Sequence, residues 1–136
     1  MEERNVKLGV IVMDLPEVKD DFLQFNSMIF LYNSAIKEMK MRLDILNDEF
    51  KFVHQYTPID HIKSRIKSLD SITAKLQRQG KSLTIDNIQN YIDDIAGIRI
   101  CCTYETDIYS IVDMLTDQED LEVLKVKEFS VILSIG

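Results

Sequence analysis

The sequence predicts one α/β (α+β) domain, with long N-terminal helices packed on a small mixed sheet. Three observations carry that expectation. Residues 17–56 contain neither Gly nor Pro, and apolar side chains return there every three or four positions. Residues 98–104 and 121–126 are short runs of strand-forming residues with a helical pattern between them. Four glycines and two prolines among 136 residues are too few for a turn-rich all-β chain.

The elements follow in order. Residues 6–12 form an apolar run that fits either a short strand or a loose arm. Asp14, Leu15, Pro16 and Glu17 read as a helix start, with proline in the first turn and an acid behind it. The stripe Phe22, Phe25, Ile29, Tyr32, Ile36, Met39, Leu43, Leu46, Phe50 and Val53 then runs down one side of a long helix. A coiled-coil seam would show similar spacing. Leu23, Phe30, Leu31, Met41 and Ile45 widen the stripe, which favours packing on the chain's own domain. Thr57-Pro58 ends the helix. Arg65 and Lys67 fall in an extended segment, two apart and so on one side. Ser68 caps a helix to Gln79 that Gly80 terminates, with Leu69, Ile72 and Leu76 toward the core and Ser71, Lys75 and Arg78 on a polar stripe. A third helix spans 84–92. Thr106 or Asp107 caps a fourth, carrying Ile108, Ile111, Val112 and Leu115, between the two strands.

Composition narrows the function classes. A content of 46% hydrophobic and 29% charged residues describes an ordinary globular chain, and no apolar run reaches a membrane span. The acidic start Met1-Glu2-Glu3 is unlike a signal peptide. The only cysteines, Cys101 and Cys102, are adjacent and read as buried strand residues of a cytosolic protein rather than a staple or zinc site. The net charge of −7 argues against DNA as a partner.

Charge is nevertheless concentrated. Residues 61–81 hold six cations (Lys63, Arg65, Lys67, Lys75, Arg78 and Lys81) against one acid, Asp70. The remainder carries 10 basic and 22 acidic side chains. Such an island is either a solvated helix face or a cradle for a compact polyanion such as a nucleoside triphosphate. Asp94 stands just before a strand that bears Arg99, where a carboxylate could hold Mg²⁺ together with phosphate oxygens, and Asp93 could share that task or only cap a turn. No P-loop, dinucleotide fingerprint, kinase loop or hydrolase triad is present, and His54 and His61 read as non-catalytic.

The run Ser64-Arg65-Ile66-Lys67-Ser68, Ser71-Ile72, Lys75-Leu76, Arg78 and Gly80, then Asp94-Ile95-Ala96-Gly97-Ile98-Arg99, resembles the synthetase domain of the RelA/SpoT family, in its small alarmone synthetase branch. Leu31-Tyr32-Asn33-Ser34-Ala35-Ile36, Leu46-Asn47-Asp48-Glu49-Phe50 and Asp107-Ile108-Tyr109 look like the same branch, so the likeness spans about 22–127. The resemblance implies a nucleotidyltransferase-like fold and a bacterial, cytoplasmic GTP pyrophosphokinase that moves the β,γ-diphosphate of ATP to the 3′-hydroxyl of GTP or GDP. It implies ATP-binding roles for Arg65, Lys67, Lys75, Arg78 and Arg99, with Arg65 or Arg78 also able to stack on adenine, and magnesium binding by Asp94. After Lys127 the sequence Glu128-Phe129-Ser130-Val131-Ile132-Leu133-Ser134-Ile135-Gly136 departs from the family's guanine-stacking loop and its glutamate base.

The resulting expectation is a single truncated domain with an incomplete sheet. Residues 1–58 form an arm and long helix, 59–127 an ATP-binding half, and 128–136 a divergent apolar tail with an unpaired strand edge. No catalytic residue is retained on this reading, so the chain keeps the ATP–Mg half of the site and is inactive as a synthetase. The alternative is a non-catalytic fragment that forms homo-oligomers through the long helix and the tail.

Overall fold

The structure is a computed structural model that describes residues 4–11, 21–127 and 130–135. In chain order the elements are β1 (Arg4–Ile11), α1 (Asp21–His54), β2 (Ile59–Ile66), α2 (Leu69–Arg78), α3 (Ile85–Tyr91), β3 (Ala96–Cys102), α4 (Glu105–Thr116), β4 (Leu121–Lys127) and β5 (Ser130–Ile135). The expected helix start at 14–17 lies outside the described residues.

The strands form one mixed sheet in the order β2-β3-β1-β5-β4. β1 and β5 run parallel, and the other neighbours are antiparallel. One face carries Leu8, Ile98, Ile100 and Cys102, all essentially buried. Against it pack Met28, Tyr32, Ile36, Met39 and Leu43 of α1, Ile72 and Leu76 of α2, Ile88 of α3, and Ile111 and Leu115 of α4. Burying each large aliphatic side chain contributes roughly 1.5–3 kcal/mol, so this face sets the register of the whole sheet. Among the described residues no helix packs on the opposite, open face, where Lys63, Arg65 and Arg99 are exposed.

Local chemistry explains the boundaries. α1 ends at Gln55, whose φ of 67° is left-handed and whose N–H still donates to Lys51 O at 2.8 Å. Ser68 Oγ accepts from Ser71 N at 3.2 Å and caps α2. Gly80, at φ 70°, closes α2 in a Schellman turn, with Gly80 N donating to Gln77 O and Lys81 N to Leu76 O. Thr84 caps α3 by accepting from Asn87 N.

Several expectations are corrected. The arm-or-strand segment is β1, the central strand. The apolar tail contains β5, which is paired on both sides, between β1 and β4, and is not an open edge. Leu69 is 46% exposed, because the first residue of α2 sits at the rim rather than on the core side. α4 begins after Tyr104, which makes no side-chain capping bond, and Asp107 is buried inside its first turn. Leu23, Phe30, Met41 and Ile45 do not widen the core stripe of α1. They lie on its solvent side, at 52%, 68%, 56% and 57% exposure. Val53 is exposed as well, since the last turn of α1 extends beyond the sheet.

Candidate functional site

β2 and β3 are antiparallel with Ile66 opposite Ala96, so the end of β2 meets the start of β3. The pairing continues one step further, as Lys67 N donates to Ile95 O at 2.7 Å. That juxtaposition brings Lys67, one residue beyond β2, to Asp94, two residues before β3. Lys67 Nζ lies 3.3 Å from Asp94 Oδ2. α2 starts at the same corner, and Lys75 reaches across to Asp94 Oδ1 at 2.9 Å. Each carboxylate oxygen therefore faces its own ammonium.

Burial pulls the Asp94 carboxyl upward, but its bonds to Lys75 and Lys67 outweigh that and hold it below the ordinary carboxylate range. Two cations on one anion leave the corner with surplus positive charge. Beside it, on the open face, Lys63, Ser64, Arg65, Gly97, Ile98 and Arg99 line a cavity of about 320 Å³. Among the described residues, Lys63, Arg65 and Arg99 take part in no ion pair. Arg78 is exposed one turn beyond Lys75 on α2, forms no ion pair with Asp94 among the described residues and is not part of the cavity lining. The sequence-derived residues thus fall into three places: Lys67, Lys75 and Asp94 in direct contact, Arg65 and Arg99 in the adjoining cavity, and Arg78 on the flank.

The donor set bears on magnesium. Among the described residues no three His, Cys, Asp or Glu side chains cluster to hold a metal by themselves. Mg²⁺ binds through one or two carboxylates plus substrate phosphates, so a carboxylate such as Asp94 beside several cations suits it. Asp93 is half-buried beside Asp94 and touches neither lysine.

The family model described as the region found in RelA / SpoT proteins matches residues 64–134. The chain belongs to the RelA/SpoT family. The match starts inside the cation window and extends through most of β5, so the RelA/SpoT likeness does not stop at Lys127 as the sequence reading held. Over 116 residues the chain is 37% identical to GTP pyrophosphokinase YwaC of Bacillus subtilis, covering 85% of this chain and 54% of that protein. The crystal structure of small alarmone synthetase 2 from Bacillus subtilis aligns with TM-score 0.61 at 37% identity, over 74% of this chain and 49% of that one. Small alarmone synthetase 1 from the same organism, bound to its product pppGpp, shares the fold with TM-score 0.68 at 20% identity, over 82% of this chain and 71% of that one. This RelA/SpoT chain spans about half the length of the curated relative it matches. The helix-on-mixed-sheet architecture is that of the small alarmone synthetases.

Two placements in this family member go beyond what the sequence assigned to Lys63 and Asp107. Lys63 shares the cavity with Arg65 and Arg99, and its signal was the alternation of Lys63 and Arg65 along one strand. Asp107, 3% exposed, accepts from the Tyr56 hydroxyl at 2.8 Å, tying the end of α1 to the start of α4. Nothing in sequence spacing connects residues so far apart.

Proposed function

We propose that the chain binds ATP–Mg²⁺ through Arg65, Lys67, Lys75, Arg78 and Arg99, with Asp94 as the magnesium ligand, as the donor side of a GTP pyrophosphokinase. The observation that carries this reading is the convergence of Lys67 and Lys75 on Asp94 next to a cavity bordered by Arg65 and Arg99. The reaction class comes from the 37% identical relative, a GTP pyrophosphokinase. Moving a diphosphate from ATP to the 3′-hydroxyl of GTP or GDP asks a protein mainly to orient phosphates and neutralise their charge. Arg and Lys side chains do both. When a triphosphate arrives, Lys67 and Lys75 turn from Asp94 to phosphate oxygens, and the released carboxylate is the group that would hold magnesium. Bound magnesium would polarise the phosphoryl oxygens. Cys101 and Cys102 form no disulfide, in agreement with a reducing, cytoplasmic setting.

Titration with α,β-methylene-ATP and Mg²⁺ tests the donor side. Binding that Arg65→Ala weakens supports it, and a chain that does not bind sinks it. The acceptor's guanine platform and general base are assigned to no residue here, and on this proposal the 136 residues alone do not complete the transfer. Pyrophosphorylated guanosine formed from labelled ATP and GTP would overturn that part.

A second reading has one observation of its own. Leu23, Phe30, Met41, Ile45 and Phe52 are all exposed on α1. They lie within about 60° of arc at 3.6 residues per turn, opposite the buried stripe. Such a row favours self-association through α1, whether or not the chain binds ATP. Light scattering on a Phe30→Ser, Ile45→Ser variant should return a smaller species, and a monomeric wild type would remove this reading. Among the described residues, no helix is long and apolar enough to cross a membrane.

A further inference from the structure

We propose that Lys63 is a phosphate-binding residue of the same cavity, contacting the phosphate chain of a bound nucleoside triphosphate. The inference rests on the nucleotide-binding reading above and adds to it a residue to which no role has been given.

β2 and β3 are in register with Lys63 directly opposite Arg99 and Arg65 opposite Gly97. Directly opposed residues of an antiparallel pair project to the same face with Cα atoms about 4.5–5.5 Å apart. Lys63, Arg65 and Arg99 are all exposed on that face and all line the one cavity. Like charges set directly opposite each other destabilise a sheet. An acid across from Lys63 or beside it would relieve this, yet among the described residues neither Lys63 nor Arg99 has an ion-pair partner.

An exposed strand lysine is ordinarily a solvated charge. Lys63 differs because it repels Arg99 across the strand pair, within a concave surface large enough for part of a phosphate chain. A polyanion in that cavity would relieve the repulsion and gain charge-assisted hydrogen bonds from the three side chains together. Gly97, opposite Arg65, adds no side chain to the floor and leaves the ladder backbone approachable between the cations. The phosphate chain could be the donor's or the acceptor's, and the experiment separates them.

The full chain is titrated by calorimetry with α,β-methylene-ATP plus Mg²⁺, and separately with GTP plus Mg²⁺. Wild type, Lys63→Gln, Lys63→Arg and Arg65→Gln are compared at low and high salt, and each variant's thermal unfolding is followed without ligand. Lys63→Gln should weaken binding about tenfold in at least one arm. The arm affected identifies the nucleotide. The loss should shrink as salt rises, and Lys63→Arg should restore most of the affinity. Without ligand, Lys63→Gln should melt at or above the wild-type temperature, because it removes the repulsion from Arg99.

Wild-type affinity of Lys63→Gln in both arms, while Arg65→Gln is impaired, overturns the role of Lys63 and leaves the nucleotide site standing. A Lys63→Gln chain that melts lower and binds more weakly overturns it too, since its role is then structural. Absence of binding by the wild type in both arms overturns this inference together with the reading beneath it.

Discussion

Asp94 is the residue on which the site turns, since it holds two lysines that would otherwise repel each other. Its folded pKa lies below the ordinary 3.8, so its contribution to stability is fully present above that pH and is lost as pH falls through the lowered value. Asp94→Asn should therefore lower stability at pH 7 and reduce the loss seen on acidification below pH 3.8, as read by thermal melts across pH. The same variant should abolish the magnesium dependence of ATP-analogue binding. Tyr56 behaves with the opposite sign. Its hydrogen bond to Asp107 raises the phenol above the ordinary 10.0, so its contribution is present below pH 10 and lost as pH rises through the raised value. Among the described residues Asp107 Oδ2 is buried without a hydrogen-bond partner, and the Tyr56 hydroxyl donates to Oδ1 of the same carboxylate. Tyr56→Phe should lower the melting temperature at pH 7 and flatten the alkaline limb. Asp107→Ala should cost less in the Tyr56→Phe background than in wild type, and equal costs would show the two uncoupled. At this scale the sequence was most readable where chemistry is local. Arg, Lys and Asp at short spacings foreshadowed the clustering of Lys67 and Lys75 on Asp94 beside Arg65 and Arg99, whereas the pairing of Tyr56 with Asp107 depends on how α1 and α4 meet.

The elements most legible in the sequence were those with their own punctuation. α2 is the clearest case, with Ser68 capping one end and Gly80 the other. A Cβ at Gly80 would meet no heavy atom within 4 Å, so any cost of substitution comes from the φ of 70° and not from a clash. Gly80→Ala should destabilise the protein by about 1 kcal/mol in urea unfolding, and Gly80→Asn by less. A negligible effect for both would mean that the turn relaxes freely. α1 was legible as a helix, and the stripe through Tyr32, Ile36, Met39, Leu43 and Leu46 is its buried face, but the width of that face was overread because a second apolar row lies opposite. What turns the correct face inward lies elsewhere in the chain. Arg42 donates to Gln118 and Asp120 beyond α4 and to Glu38 within α1, and the carboxylates, Asp120 foremost and then Glu38, raise the guanidinium pKa against the opposing effect of burial. Asn47 brackets the backbone of Ile59, accepting from its N–H at 3.0 Å and donating to its carbonyl at 3.5 Å. Gln118 and Asp120 stand 76 and 78 residues from Arg42, whereas Ile59 opens the strand that follows α1.

At the scale of the molecule, sheet order was the feature that local reading could not supply. Strand propensity marks where strands form, but their order follows from pairings between distant segments. Residues 6–12 seemed equally suited to an arm because a short apolar run carries no sign of its neighbours. In the fold β1 joins the pair β2-β3 to the pair β5-β4, antiparallel to β3 and parallel to β5. Without it, two two-stranded pieces remain, and isolated pairs of that size are marginally stable at best. Leu8, fully buried, would also leave the core beneath α1 and α4. Deletion of residues 1–11 should therefore abolish cooperative thermal unfolding rather than trim a loose arm. The milder Leu8→Ala should cost about 2–5 kcal/mol, as buried large-to-small changes do. Because β3 carries Arg99 and follows Asp94, loss of β1 should also cost ATP-analogue binding. A deletion variant that still melts cooperatively and binds the analogue would show that β2, β3 and their helices fold and function without the central strand.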